Sequence, residues 1–154
     1  MKSKKFTYAS VGSVSSGTMR PQDLMPDFIY ELRSLGHRDK RLTVIQNRVN
    51  RALNSKYGED DAYFQDEESS WDLDTLFDML DTHALPYMYF GSHSGDGSDY
   101  GFWVSEGLEY EFDGLKVDDT GDVPTNYTGE VLHVNDHGNM TLYTAKRGKL
   151  TEVW

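Results

Sequence analysis

Cysteine is absent from all 154 residues of the chain. That excludes disulfide staples, zinc–thiolate centres, iron–sulfur clusters and a thiol nucleophile, and it suits a reducing compartment. Proline is scarce, at four residues. Long apolar runs are absent too: nothing approaches the ~18 consecutive apolar residues that mark a membrane-spanning helix. No export signal is expected. Met1-Lys2-Ser3-Lys4-Lys5 is basic like the start of one, but the stretch from Phe6 to Gly17 is rich in Ser and Gly where a signal is continuously apolar. The expectation is a cytoplasmic protein without membrane association.

Basic residues are also missing from the middle of the chain. Positions 58–122 hold one, Lys116, against 19 acids. Positions 1–57 hold 11 basic residues and 4 acids, and the remainder is balanced at 3 of each. The net charge of −11 is therefore strongly segregated along the chain. Such asymmetry points to a charged face that meets a partner, or to two segments that meet each other.

A chain of this length buries an adequate core without a metal, and it reads as a single domain over residues 1–154. Phe6 to Val11 has strand composition and precedes a Ser/Gly-rich loop at 12–18. Leu24, Phe28, Leu32 and Leu35 recur at spacings of four, four and three, one face of a helix that opens on Pro21 and stops at Gly36. A second helix is expected from Asp39 to Tyr57, with Leu42, Ile45, Val49, Ala52 and Leu53 as its apolar stripe. A polar, acidic loop at 59–70 follows. The third helix is expected from Trp71 to Ala84, capped by Ser69 or Ser70, with Leu73, Leu76, Phe77, Leu80 and Ala84 inward.

Beyond Pro86 the apolar period shifts to two. Pro86 to Phe90 and Tyr100 to Val104 read as a hairpin around a long glycine-rich loop, Gly91 to Asp99. Leu108 to Phe112 alternates like a further strand. Val131 to Val134, Met140 to Ala145 and Leu150 to Trp154 form a three-stranded meander joined by turns at 135–138 and 146–149. The expected architecture is α+β: one mainly antiparallel sheet of five to seven strands, with three helices on one face.

The acids offer the first functional candidate. Asp74, Asp78 and Asp81 fall on one side of the third helix, and Glu59, Asp60, Asp61, Asp66, Glu67 and Glu68 precede it. A rise of ~1.5 Å per residue sets helical neighbours four apart at roughly 6 Å. Carboxylates at that spacing resemble a row of nucleic-acid phosphates, and DNA-binding proteins draw much of their affinity from phosphate neutralisation. The plainer reading is a solvated helix face. Like charge this dense opposes compaction, which favours a use for it.

On the second helix, Arg41, Arg48 and Arg51 suit phosphates, and Asn47, Asn50 and Asn54 suit base edges. The acidic neighbourhood would repel a duplex, so direct nucleic-acid binding is not expected. The plainer reading of this helix is an ordinary amphipathic one, and a third has the basic helices pair with the acidic segment, within the chain or across a dimer.

The glycine-rich loop is the alternative, enzymatic candidate. His93, Asp96 and Asp99, joined by Asp136 and His137 from a second turn, would bind a metal or activate water. The loop matches neither the calcium-loop, Walker nor dinucleotide patterns, and turns select Asp and Gly for backbone reasons alone. No cofactor or metal is expected. Ser13, Ser15 and Ser16 would cradle an anion before the first helix, although Pro21 and Pro26 remove donors there. His37 and His83 read as helix-end residues, favoured there when protonated.

Three segments carry a resemblance: Tyr89-Phe90-Gly91-Ser92-His93-Ser94-Gly95-Asp96-Gly97-Ser98-Asp99-Tyr100-Gly101-Phe102-Trp103, Val134-Asn135-Asp136-His137-Gly138-Asn139, and Gly17-Thr18-Met19-Arg20-Pro21-Gln22-Asp23-Leu24. Together they resemble a family of small proteins of unknown function from bacteriophages and other mobile elements. The resemblance spans most of the chain apart from 59–70 and brings no catalytic residues with it. It implies a setting in a bacterial host's cytoplasm. The leading expectation is a non-enzymatic inhibitor whose acidic face binds a basic, nucleic-acid-handling host defence protein, as a DNA mimic does. The runners-up are a small hydrolase acting on a nucleotide-like substrate through the His/Asp loop, and a structural or regulatory homo-oligomer.

Overall fold

The computed structural model describes residues 5–154. The basic start at 1–4 lies outside the described residues. The chain divides into two compact units, one ending at Val104 and the other comprising Ser105–Trp154.

The first unit is built in the order β1 (Gly12–Ser15), α1 (Pro21–Ser34), α2 (Lys40–Leu53), α3 (Glu67–Asp81), β2 (Met88–His93) and β3 (Asp96–Val104). Short 3-10 turns at Gly58–Asp60 and Ala62–Gln65 bridge α2 to α3. The sheet order is β1-β3-β2, antiparallel throughout. The predicted face of α1 is the buried one: Leu24, Phe28, Leu32 and Leu35 are all inside, as are Leu42, Ile45, Val49 and Ala52 of α2.

Aromatic rings join the helices to the sheet. Phe28 of α1 lies 5.1 Å from both Phe77 of α3 and Phe90 of β2, in edge-on geometry, and Phe90 lies 5.0 Å from Phe102 of β3. Such contacts add directional preference to the apolar burial. β1 reaches β3 at very close range. A Cβ placed on Gly101 would come 2.2 Å from the carbonyl oxygen of Gly12, so only glycine fits that crossing.

The second unit holds α4 (Leu108–Glu111), a single turn, then β4 (Leu115–Val117), β5 (Gly129–Val134), β6 (Met140–Lys146) and β7 (Lys149–Glu152). The sheet order is β4-β5-β6-β7, with β4 and β5 parallel and the other pairs antiparallel. Val117, Val131 and Ala145 form a buried cluster, covered by Leu115, Val123, Tyr127, Tyr143 and Leu150. The β6–β7 turn is tight: Arg147 and Gly148 take φ of 49° and 77°, the sense a two-residue hairpin turn requires.

The α+β class is therefore present, but the strands form two sheets, of three and four, where one was expected. Alternation locates a strand without naming its partner, and the strands after Val104 pair only among themselves. Other expectations also need correction. Phe6 to Val11 is not a regular strand; the strand lies next to it, in the predicted Ser/Gly loop. Leu108–Glu111 is helical, because a one-turn helix and an alternating strand cannot be separated over four residues. The glycine-rich loop is mostly strand, leaving only Ser94 and Gly95 between β2 and β3. α3 starts four residues before Trp71, with Asp66 at its N-cap and Ser69 buried inside its first turn. Among the described residues, no helix is long and apolar enough to cross a membrane.

Candidate interaction surface

α3 carries the candidate. Its start places Glu67 and Glu68 in the first turn, where the helix dipole favours negative charge. Leu76, Met79 and Leu80 hold the inner face. Glu67, Trp71, Asp74, Asp78 and Asp81 then recur at steps of four, three, four and three along one exposed stripe. Trp71, expected as the first residue of the helix, sits inside the stripe with 65% of its surface exposed. Thr75, beside it, turns its hydroxyl back to donate to the Trp71 carbonyl at 3.0 Å.

The nine predicted acids separate into two groups. Four are tied inward. Glu59 pairs with Arg20 at 3.1 Å, and Glu68 pairs with Arg48 at 3.1 Å. Asp61 accepts from the Tyr63 amide at 3.0 Å, and Asp81 accepts from the Phe90 amide at 3.0 Å, fastening the end of α3 to β2. A hydrogen bond from Ser55, the Tyr63 amide and the Arg51 charge hold the Asp61 carboxyl below the usual range. Asp60, Asp66, Glu67, Asp74 and Asp78 are exposed, and their carboxylates make no hydrogen bond or ion pair among the described residues. The Asp78 charge adds a little to what keeps Arg41 protonated, after the hydrogen bond and charge of Asp39.

A residue outside the predicted set holds this region together. Asp72 is buried on α3, four positions before Leu76. Nη1 of Arg48 donates to its two oxygens at 2.9 and 3.0 Å, and the Tyr63 hydroxyl donates at 2.7 Å. Burial and that bond to Asp72 raise the Tyr63 phenol well above its ordinary range. Its sequence signal was an acid on the apolar side of α3 facing an arginine on the flank of α2. The charge segregation is thus matched partly inside the chain, as one sequence reading anticipated: Arg20–Glu59, Arg48–Glu68 and Arg48–Asp72 each join the basic third to the acidic middle.

The same pairing answers the question of α2 as a nucleic-acid reader. Arg48 is consumed by two carboxylates, and Arg41 lies against Asp39 at 2.6 Å, the residue that caps α2 through the Arg41 amide. Asn47, Asn50 and Asn54 are exposed. Arg41, Val44 and Arg48 face Asp72 and Thr75 across a shallow groove of about 240 Å³.

The alternative site residues hold turn roles. His93 Nδ1 accepts from the Gly95 amide at 2.9 Å, and its ring meets Trp103 edge-on at 4.7 Å. Asp96 accepts from the amide and hydroxyl of Ser98, which lower its carboxyl. Asp99 accepts from the Ser13 hydroxyl at 2.5 Å, tying β3 to β1 and engaging one of the serines read as an anion cradle. Asp136 and His137 lie in the second unit, in the turn after β5, where Asn135 caps the His137 and Asn139 amides. Asp136 also edges a polar cleft of about 440 Å³ with Glu109, Lys116 and Asp118. Among the described residues, no three His, Asp or Glu side chains are grouped to hold a metal ion.

His37 and His83 lie just past the ends of α1 and α3, as expected, but burial opposes the protonated form that would be favoured there. His83 is fully buried, and its Nε2 lies 2.8 Å from Nδ1 of His37. Burial lowers the proton affinity of both rings, and the neighbouring His83 lowers that of His37 further.

Comparison with protein-family models, with curated proteins and with solved structures finds no match to this chain.

Proposed function

We propose that the chain is a binding protein whose α3 stripe docks against a basic surface of a nucleic-acid-handling protein, competing there with nucleic acid. One observation carries the reading. An exposed tryptophan, Trp71, stands among Glu67, Asp74 and Asp78, carboxylates that are not spent on internal partners. Tryptophan is enriched among the few residues that dominate protein–protein affinity, and its face attracts the guanidinium and ammonium groups of a basic partner. From Glu67 to Asp78 the stripe runs about 16 Å at the rise of a helix, several phosphate steps along a nucleic-acid strand.

The resemblance to phage and mobile-element proteins supplies the setting: a bacterial cytoplasm, with a host defence protein as the partner class. The enzymatic alternative has less support, because His93 and Asp96 are engaged in their own turn and Asp99 ties β3 to β1.

The test is a tagged pull-down from nuclease-treated bacterial lysate, read by mass spectrometry. Wild type should be compared with a variant carrying Glu67→Lys, Asp74→Lys and Asp78→Lys. The expected result is a basic nucleic-acid enzyme held by wild type, lost from the variant and displaced by duplex DNA. Equal capture by the two proteins would overturn the reading.

A further inference from the structure

A chain of hydrogen bonds runs through buried His83 and half-buried His37 and ends at the segment preceding β1. His83 Nδ1 lies 2.6 Å from the Thr7 carbonyl oxygen, and His83 Nε2 lies 2.8 Å from His37 Nδ1. The same segment is held by further contacts, among them a bond from the Thr7 hydroxyl to the Leu35 carbonyl at 3.4 Å. The Thr7 amide donates to Leu35 at 2.9 Å, the Ala9 amide donates to the His83 carbonyl at 2.9 Å, and the Phe6 ring stacks on His83 at 4.0 Å.

The geometry fixes where the protons are. A carbonyl only accepts, so His83 carries its hydrogen on Nδ1 and offers a lone pair at Nε2. His37 must then donate from Nδ1. Its own Nε2 is left as a bare acceptor, and that buried atom has no hydrogen-bond partner among the described residues. One added proton can enter at this nitrogen without breaking the chain. A second cannot, because Nδ1–H of His37 and Nε2–H of His83 would then point at each other.

We propose that the His37–His83 pair is an acid-operated latch: proton uptake by the two rings undoes the hydrogen-bond chain and releases residues 6–9 from the ends of α1 and α3. This stands apart from the α3 stripe and does not depend on it. Among the described residues, four charged groups bear on the pair. Glu31 on α1 favours a proton on His83; for His37, Asp39 favours it while Arg33 and Arg41 oppose it. The closed form disfavours protons and the open form takes them up at the ordinary value of 6.5, so the closed form's advantage is complete above that pH and declines as the pH falls below it.

Two measurements test this on the full chain. At pH 8, nitrogen-15 spectra of the imidazoles should show both rings protonated at Nδ1; an Nε2–H form of either ring would overturn the assignment. Native-state hydrogen exchange of the Thr7 and Ala9 amides, corrected for intrinsic exchange, should then be followed from pH 7.5 to 5. The opening constant should rise below pH 6.5, approaching about tenfold per pH unit for each proton taken up, while strand amides of the second unit stay level. His37→Asn keeps a donor towards His83 but cannot take a proton, so its slope should fall to that of one proton at most. A flat wild-type profile, or the same slope in both proteins, would sink the proposal. If the variant does not fold, the wild-type profile and the tautomers still decide it.

Discussion

Arg48 of α2 and Asp72 of α3 are clasped with Nη1 2.9 and 3.0 Å from the two carboxylate oxygens, and Tyr63 closes the third side. The carboxylate is 10% exposed and the guanidinium 33%. Breaking a wholly buried pair costs about 3–5 kcal/mol, because the surviving charge stays unpaired. With Arg48 reaching solvent and a second acid, Glu68, beside it, Asp72→Ala should cost about 2 kcal/mol, reduced from that range by solvent screening. Tyr63→Phe should cost about 1 kcal/mol. Urea unfolding of both single variants and the double would show coupling between them; strict additivity would mean that the three groups do not act together.

Trp71 gives a prediction of the opposite kind. Trp71→Ala should leave stability within about 0.5 kcal/mol, as surface substitutions do. Partner affinity should fall by about 2 kcal/mol, roughly thirtyfold in Kd, if Trp71 anchors the interface. Calorimetry with the captured partner reads the second value and thermal unfolding the first. A large loss of stability with unchanged affinity would assign Trp71 to the fold.

Gly101 should tolerate no side chain. In Gly101→Ala the new methyl meets the Gly12 carbonyl, and the neighbouring Ser13 Cα at 2.8 Å, both backbone atoms that cannot swing aside. Overpacking of this kind typically costs about 1–3 kcal/mol. The loss should appear first as faster amide exchange in β1, since that strand has to move away from β3.

Asp39 sets an acid-side dependence. The Arg41 side chain and amide hold its carboxyl down to about 2. The folded state thus favours the charged form. Its contribution is complete above the ordinary aspartate value of about 3.9 and is lost as the pH falls from there through the lowered value. Asp39→Asn keeps a capping oxygen but loses the titration, whereas Asp39→Ala loses both. Urea midpoints measured at neutral pH and near pH 3 should separate the three proteins: wild type should approach Asp39→Asn in acid and exceed Asp39→Ala throughout.

The helical part of the fold was legible because its signal is periodic and local. Leu24, Phe28 and Leu32 announce α1, and every one of them is buried. The start of α3 was not legible. Ser69 and Ser70 look like caps, but Asp66 holds that position, and so Trp71 moves from a helix end to the middle of an exposed face. Pairing was beyond reach as well. β4 is three residues long and joins β5 in parallel, with no hairpin turn to signal it. For the candidate surface, sequence located the acids. It could not separate Glu59, Asp61, Glu68 and Asp81, whose carboxylates have internal partners, from Glu67, Asp74 and Asp78, whose carboxylates have none among the described residues. That distinction depends on which arginines and amides lie across the gap.

The β1–β3 register imposes an order on biosynthesis. Gly12 pairs with Phe102, so the first strand waits for some ninety residues to be made before its partner exists. Phe28 and Phe77 are meanwhile synthesised well ahead of Phe102, and part of the cover over their rings comes from the β2–β3 hairpin. At about 5–20 residues per second, the roughly twenty residues between the end of α3 and the end of β3 leave that aromatic face open for about one to several seconds. Slowing translation across the hairpin would lengthen the exposure of that aromatic face.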